Sequence, residues 1–184
     1  MKKLKLEELN RYSVEEFKAL PKKPIVVVLD NIRSALNVGS VFRTADAFAL
    51  AGVHLCGITA QPPHREILKT AIGATESIEW KYFPKTADSI RELRQQGYRI
   101  VGIEQTDESI PLNEYKAPQQ PLALVFGNEV GGLSDDILPL LDDCIEIPQY
   151  GTKHSLNVAV CVGIVTWHFF TLHPSPFTHE PLAR

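Results

Sequence analysis

The stretch CIEIPQYGTKHSLNVAVCVGIVTWHFF, residues 144–170, decides how the chain is read. It predicts a short strand, a tight loop and an apolar helix. The strand from Cys144 to Ile147 stops at Pro148, whose nitrogen carries no proton for a sheet ladder. Gly151 supplies free backbone in the loop. Ser155 is the expected N-cap of a helix from Leu156 to Phe170. That run is too long for an ordinary strand and apolar on nearly every side, so burial is expected. Lys153, His154, Ser155 and Asn157 then sit at the mouth of a buried helix. They serve either as the cap of a core element or as a place for chemistry.

The same alternation extends upstream. Residues 1–24 form a helical leader in which Ser13 and Glu16 have capping-box spacing; Pro21 and Pro24 end it. Ile25–Leu29 is a β-branched run of the kind buried on both faces of a parallel sheet. After the polar turn at Asp30 and Asn31, the residues Val38, Val41, Phe42, Ala45, Phe48 and Ala49 make one helical stripe, with Asn37 as its cap and Arg43 pointing away. Strand Val53–Ile58 follows Gly52. Next come a helix His64–Ala71, a half-buried strand Ser77–Phe83, a helix Ala87–Gln96 and a strand Arg99–Gln105. Asp107–Gln120 reads as a loop and Leu122–Phe126 as a strand. Ser134 is expected to cap a short helix carrying Asp135 and Asp136 in its first turn. Residues 171–184 hold three prolines and are expected to form a tail.

Strand and helix alternate throughout, so the fold class is α/β: a mainly parallel sheet with helices on both faces. Ligands of such sheets sit beyond the carboxyl ends of strands. The loops 30–37, 127–133 and 148–155 all lie there.

Composition sets outer limits. The 184 residues suffice for one domain with a real core, and 44% hydrophobic with 22% charged residues is ordinary for a globular protein. No apolar run reaches a bilayer span, and no membrane partner is expected. The N-terminus lacks the apolar core of a secretory signal. Cys56, Cys144 and Cys161 are scattered and form no CxxC, which fits a reducing, cytoplasmic setting and no metal site. A net charge of −3 advertises no global attraction to nucleic acid, so RNA contacts must be local.

The loops are not phosphate cradles. No GxGxxG follows the first strand, and no lysine follows the glycines of 127–132. Glycines there can still bring a ligand close to backbone N–H and C=O groups. Glu129, the acid within that loop, is either a brace for it or part of a site.

Taken together, NIRSALNVGSVFRTA (31–45), LVFGNEVGGLS (124–134) and IPQYGTKHSLNVAV (147–160) closely resemble, in order, the three motifs of the SpoU (TrmH-like) branch of the SPOUT RNA methyltransferases. The resemblance spans about residues 25–170. It implies S-adenosylmethionine as methyl donor, a ribose 2′-hydroxyl of RNA as acceptor, a C-terminal trefoil knot and a homodimer. It places the cofactor against Ile103, Glu104, Gly127, Ile147, Ser155 and Leu156. It gives the catalytic roles to Arg43, Asn37, Glu129, Ser155 and Asn157, with Arg43 beside the reacting hydroxyl. His154, an imidazole in the same loop, is a rival base on chemical grounds alone, since the family does not require a histidine there. Asn31, Arg33, Lys153 and His154 would contact substrate. The implied RNA is tRNA in preference to rRNA; base methylation and a non-catalytic RNA-binding module are the alternatives. No separate RNA-binding domain is expected before residue 25, so recognition falls to the leader, Arg33, Arg65, Lys69, Lys153 and a second subunit. Trp167, Phe169 and Phe170 are either core or dimer contacts.

Overall fold

Ile25, Val26, Val27, Val28 and Leu29 are all buried, because strand β1 (Lys23–Asp30) lies mid-sheet with both faces covered. The computed structural model describes residues 1–172 except Asn10, Ala117 and His154. Among them the sheet has seven strands. The others are β2 (Leu50–Cys56), β3 (Trp80–Phe83), β4 (Arg99–Ile103), β5 (Ile110–Pro111), β6 (Leu122–Phe126) and β7 (Asp143–Glu146). Their order is β3-β2-β1-β6-β4-β7-β5, and every pairing is parallel. The helices are α1 (Val14–Ala19), α2 (Ala35–Ala47), α3 (Arg65–Ala71), α4 (Ala74–Ser77), α5 (Thr86–Gln95) and α6 (Val158–Leu172).

Alternate strand residues face opposite layers. Ile25, Val27 and Leu29 join Val38, Phe42, Ile67, Val162 and Phe169 in the larger core under α2, α3, α4 and α6. Val26 and Val28 meet Ile90 and Leu93 of α5 and Ile137 on the other side. Phe42 and Phe169 are wholly buried, so truncating either to alanine costs about 3–5 kcal/mol. Helices thus cover both faces, as the alternation predicts.

Several boundaries differ from the sequence reading, each for a local reason. β1 starts at Lys23, whose N–H donates to the Ala49 carbonyl at 2.8 Å, so the leader ends before the two residues preceding Ile25. Helix α2 is capped by Ser34, not Asn37: Ser34 Oγ accepts from the Asn37 N–H at 3.3 Å. Helix α6 starts at Val158, and Asn157 rather than Ser155 caps it, its Oδ1 accepting from the Ala159 and Val160 N–H groups. Ser134 caps no α-helix. A turn and the 3₁₀ segment Leu138–Leu140 follow it, with Pro139 inside, and Ser134 bonds to Asp30 instead. β2 begins at Leu50, because Ala49 takes a left-handed φ of 48° and turns the chain before Gly52. β3 starts at Trp80, since α4 occupies Ala74–Ser77. The segment 107–120 contains the two-residue edge strand β5. Capping at Ser13 holds as expected, with Glu16 returning the bond. The tail beyond Leu172 lies outside the described residues.

Gly39 sets the spacing of α2 and α3. A Cβ there would collide with Thr70 Oγ1 and the Ile67 carbonyl, so only glycine allows this approach. Thr70 Oγ1 then donates to the Leu36 carbonyl at 2.9 Å across the contact.

Candidate active site

Strands β6, β4 and β7 are neighbours, and their carboxyl ends open onto one cavity of ≈ 500 Å³. Ile103 and Glu104 enter it from the end of β4, Gly127 from β6, Ile147 from β7, and Ser155 and Leu156 from the approach to α6. All six residues expected at a cofactor therefore line a single cavity. This is where an open parallel sheet places its ligands.

The loop after β6 holds its shape through short-range bonds. Asn128 Oδ1 accepts from the N–H groups of Val130 and Gly131 at 3.0 and 2.8 Å, an Asx arrangement. Asn128 and Gly132 exchange two backbone bonds of 3.0 Å. A Cβ on Gly127 would run into the Gly132 backbone, and one on Gly132 (φ 67°) into the Glu104 carboxylate. The brace is Glu104, not Glu129: its Oε2 accepts from the Leu133 N–H at 2.9 Å and its Oε1 from the Gln105 N–H at 2.8 Å.

Glu129 reaches out of the loop instead. Its Oε1 accepts from Asn37 Nδ2 at 2.7 Å, and Asn37 Oδ1 accepts from Asn157 Nδ2 at 3.2 Å. One chain of side chains thus joins all three motif loops. Arg43 is not in it. Six residues beyond Asn37 on α2, Arg43 is exposed and lines a second, shallower depression with Lys69, Phe48, Ile72 and Gly163. Arg33 and Lys153 are exposed, and neither lines the main cavity among the described residues. His154 lies outside the described residues. Asn31 is engaged in bracing: at φ 55° its Oδ1 accepts from the Ile58 N–H at 3.1 Å and its Nδ2 donates to Asp30 at 2.8 Å.

Asp30 was missed as a candidate. This wholly buried carboxylate accepts from Asn31, from Thr86 Oγ1 at 2.5 Å, and from both the N–H and hydroxyl of Ser134 at 3.0 and 2.8 Å. It ties the end of β1 to the end of the glycine loop. Its place at the carboxyl end of a central strand was the available signal.

The cavity's electrostatics bear on its ligand. Glu104, Glu129, Asp135 and Glu146 line it, and among the described residues no lysine or arginine does. A phosphate would be repelled here; a cation with apolar parts suits the acids, the Leu133, Leu138 and Leu156 side chains and the exposed backbone. Burial pushes the Cys161 thiol up to about 12, so at neutral pH it forms an uncharged wall. No group of three or more His, Cys, Asp or Glu among the described residues is arranged to hold a metal ion. No helix among them is long and apolar enough to cross a membrane.

The sequence profile of the SpoU rRNA Methylase family matches residues 24–167. The chain belongs to the SpoU family. A 23S rRNA (guanosine-2′-O-)-methyltransferase of Vibrio parahaemolyticus is 31% identical over 159 residues, 86% of this chain and 63% of that enzyme. A tRNA (guanosine(18)-2′-O)-methyltransferase of Aquifex aeolicus is 31% identical over 151 residues, 79% of this chain and 68% of that one. The mouse tRNA (guanosine(18)-2′-O)-methyltransferase is far longer: 30% identity over 150 residues covers 9% of it. Among solved structures, an AdoMet-bound rRNA methyltransferase from Sinorhizobium meliloti superposes with a TM-score of 0.77 at 29% identity, covering 90% of this chain and 62% of that one. This SpoU chain therefore spans about three fifths of most of these relatives.

Proposed function

We propose that this SpoU chain is an S-adenosylmethionine-dependent RNA ribose 2′-O-methyltransferase that acts as a cytoplasmic homodimer. The observation that carries the reading is the main cavity: six expected residues converge in it, with four acids and no cation among its described lining. That lining suits a sulfonium cation whose attached adenine ring packs its flat faces on the leucines. S-adenosylmethionine supplies, when bound, an electrophilic methyl group that needs only an in-line nucleophile. The glycine loop and the Ser155–Leu156 turn offer backbone groups to hold it. Asn37, Glu129 and Asn157 fix the loops relative to one another, so reacting atoms keep their geometry.

Arg43 stabilises the alkoxide that develops on the ribose oxygen. A guanidinium stays protonated, so it serves as a fixed charge and not as a base. It stands outside its own chain's cavity, on the side of α2 that faces Gly163 of α6. Val160, Ile164 and Trp167 leave an apolar stripe of α6 exposed at 52%, 40% and 54%. A second copy seated on that stripe covers it and brings each Arg43 toward the partner's cavity. The trefoil knot belongs to the same proposal: β4 lies between β6 and β7, and the chain after β7 returns into the core as α6.

tRNA is favoured over rRNA as substrate, because the Aquifex tRNA enzyme is the curated relative above that the chain covers most fully. The test is incubation with methyl-labelled S-adenosylmethionine and total RNA from a host lacking this protein, followed by mapping of alkali-resistant ribose linkages. Label at one tRNA position is expected. No label at any ionic strength would leave a non-catalytic RNA-binding module.

A further inference from the structure

The second depression holds two cations that no carboxylate answers. Arg43 and Lys69 both line it, and among the described residues neither forms an ion pair. They share it because Gly39 lets α3 lie against α2, which seats Lys69 alongside the Arg43 face. Its volume is ≈ 500 Å³, and Ala47, Phe48 and Ile72 give it apolar walls. Two like charges lining one concavity suit an anion, and the apolar walls suit a flat or aliphatic group attached to it.

Ile72 is the second, independent observation. It ends α3 in the left-handed conformation (φ 50°, ψ 53°), where a β-branched residue is an outlier. Gly73 beside it also has positive φ, so the turn is of a kind that glycine makes without strain. The Ile72 side chain is nevertheless 68% exposed at the rim of the cationic depression. Strain combined with an unburied apolar side chain gains the fold nothing by packing. Both features make sense where a ligand covers the side chain.

We propose that the α2–α3 depression is a nucleotide subsite for substrate RNA, in which Lys69 holds a backbone phosphate next to Arg43 and Ile72 packs against the attached base or ribose. The inference rests on the RNA-methylating reading and extends it to residues outside the three motifs. Arg43 then has a phosphate within reach as well as the reacting hydroxyl. Lys69 and Ile72 set how tightly, and at which nucleotide, the RNA is seated.

The test uses the full chain, a fluorescein-labelled 20-nucleotide mixed-sequence RNA and anisotropy titration from low to moderate salt. Lys69→Ala is expected to weaken binding about tenfold and to flatten the slope of log K against log salt by about 0.7, as for one lost single-strand phosphate contact. Affinity for S-adenosylmethionine, read by calorimetry, is expected to stay unchanged. Ile72→Gly is expected to raise the melting temperature, because it removes the strain, while weakening RNA binding several-fold. A merely structural residue would not move those two readouts in opposite directions. Unchanged affinity and salt slope in Lys69→Ala overturn the subsite, as does a wild-type chain that binds no RNA. Ile72→Gly with unaltered RNA affinity overturns the apolar half. RNA binding that depends on Lys69 in a protein that transfers no methyl group would leave the subsite standing and remove the enzymatic reading instead.

Discussion

Asn37 and Glu129 stand 92 positions apart and share a hydrogen bond of 2.7 Å. Asn37 also accepts from Asn157, 120 positions away, so one amide links the loops after β1, β6 and β7. These bonds lie near solvent, where each contributes about 0.5–1.5 kcal/mol to stability. Their greater effect is on geometry. Asn37→Ala is expected to shift the melting temperature by only a few degrees while lowering kcat about 10- to 100-fold. Thermal melts and initial rates of methyl transfer on the same preparation separate the two. A large loss of stability with a proportional loss of rate would make Asn37 a scaffold residue only.

Arg43 lines a different depression from the cofactor candidates. Arg43→Ala is therefore expected to lower methyl transfer by about 10²–10³-fold, the typical effect of removing one transition-state donor. Affinity for S-adenosylmethionine should remain within about twofold. Mixing Arg43→Ala chains with chains disabled at Gly127 should restore part of the activity, since one of the two sites in the mixed dimer is then intact. No restoration, with mixed dimers verified by mass, would place Arg43 in the service of its own cavity.

Asp30 accepts four hydrogen bonds with no exposed surface. Asp30→Ala leaves Thr86, Asn31 and two donors of Ser134 without their acceptor. Each stranded buried donor costs about 1–3 kcal/mol, so a loss of about 3 kcal/mol or more is expected in urea unfolding. Cofactor affinity should fall as well, because Ser134 anchors the end of the glycine loop. A variant with unaltered midpoint would show that water replaces the carboxylate at no cost.

His54 sets an acid limit. Burial holds its imidazole down at about 4 from an ordinary 6.5, helped by Lys81 and opposed by Glu92. It stacks tilted on Phe83 at 4.8 Å, and its Nδ1 lies 2.7 Å from Ser89 Oγ. The unfolded chain takes up the proton first as pH falls, so this contribution is complete above about 6.5. It drains away down to about 4 and amounts to about 3 kcal/mol at most. Denaturation midpoints for wild type and His54→Asn should converge across that window. Parallel curves would mean that His54 titrates normally in the native state.

The alternation of strand and helix, the mainly parallel sheet and the three motif loops could be read from the chain alone, but α4 and β5 could not. β-branched runs such as Ile25–Leu29 and the stripe from Val38 to Ala45 encode burial locally, through periods of two and 3.6 residues. The motif resemblance marked Gly127, Ser155, Asn37 and Glu129 as candidates. The tertiary structure alone decided which side chain does what with its neighbours. It made Glu104 rather than Glu129 the loop brace and Asp30 a hub, whereas the caps at Ser34 and Asn157 are local bonds spanning two or three residues. It also carried Arg43 away from its own cavity and set Lys69 beside it through the Gly39 contact. Periodicity reports which face of an element is buried. Long-range partners such as Asp30 and Ser134 or Asn37 and Glu129, by contrast, come from strand order and helix spacing, which bring together residues about a hundred positions apart. No local pattern encodes that separation.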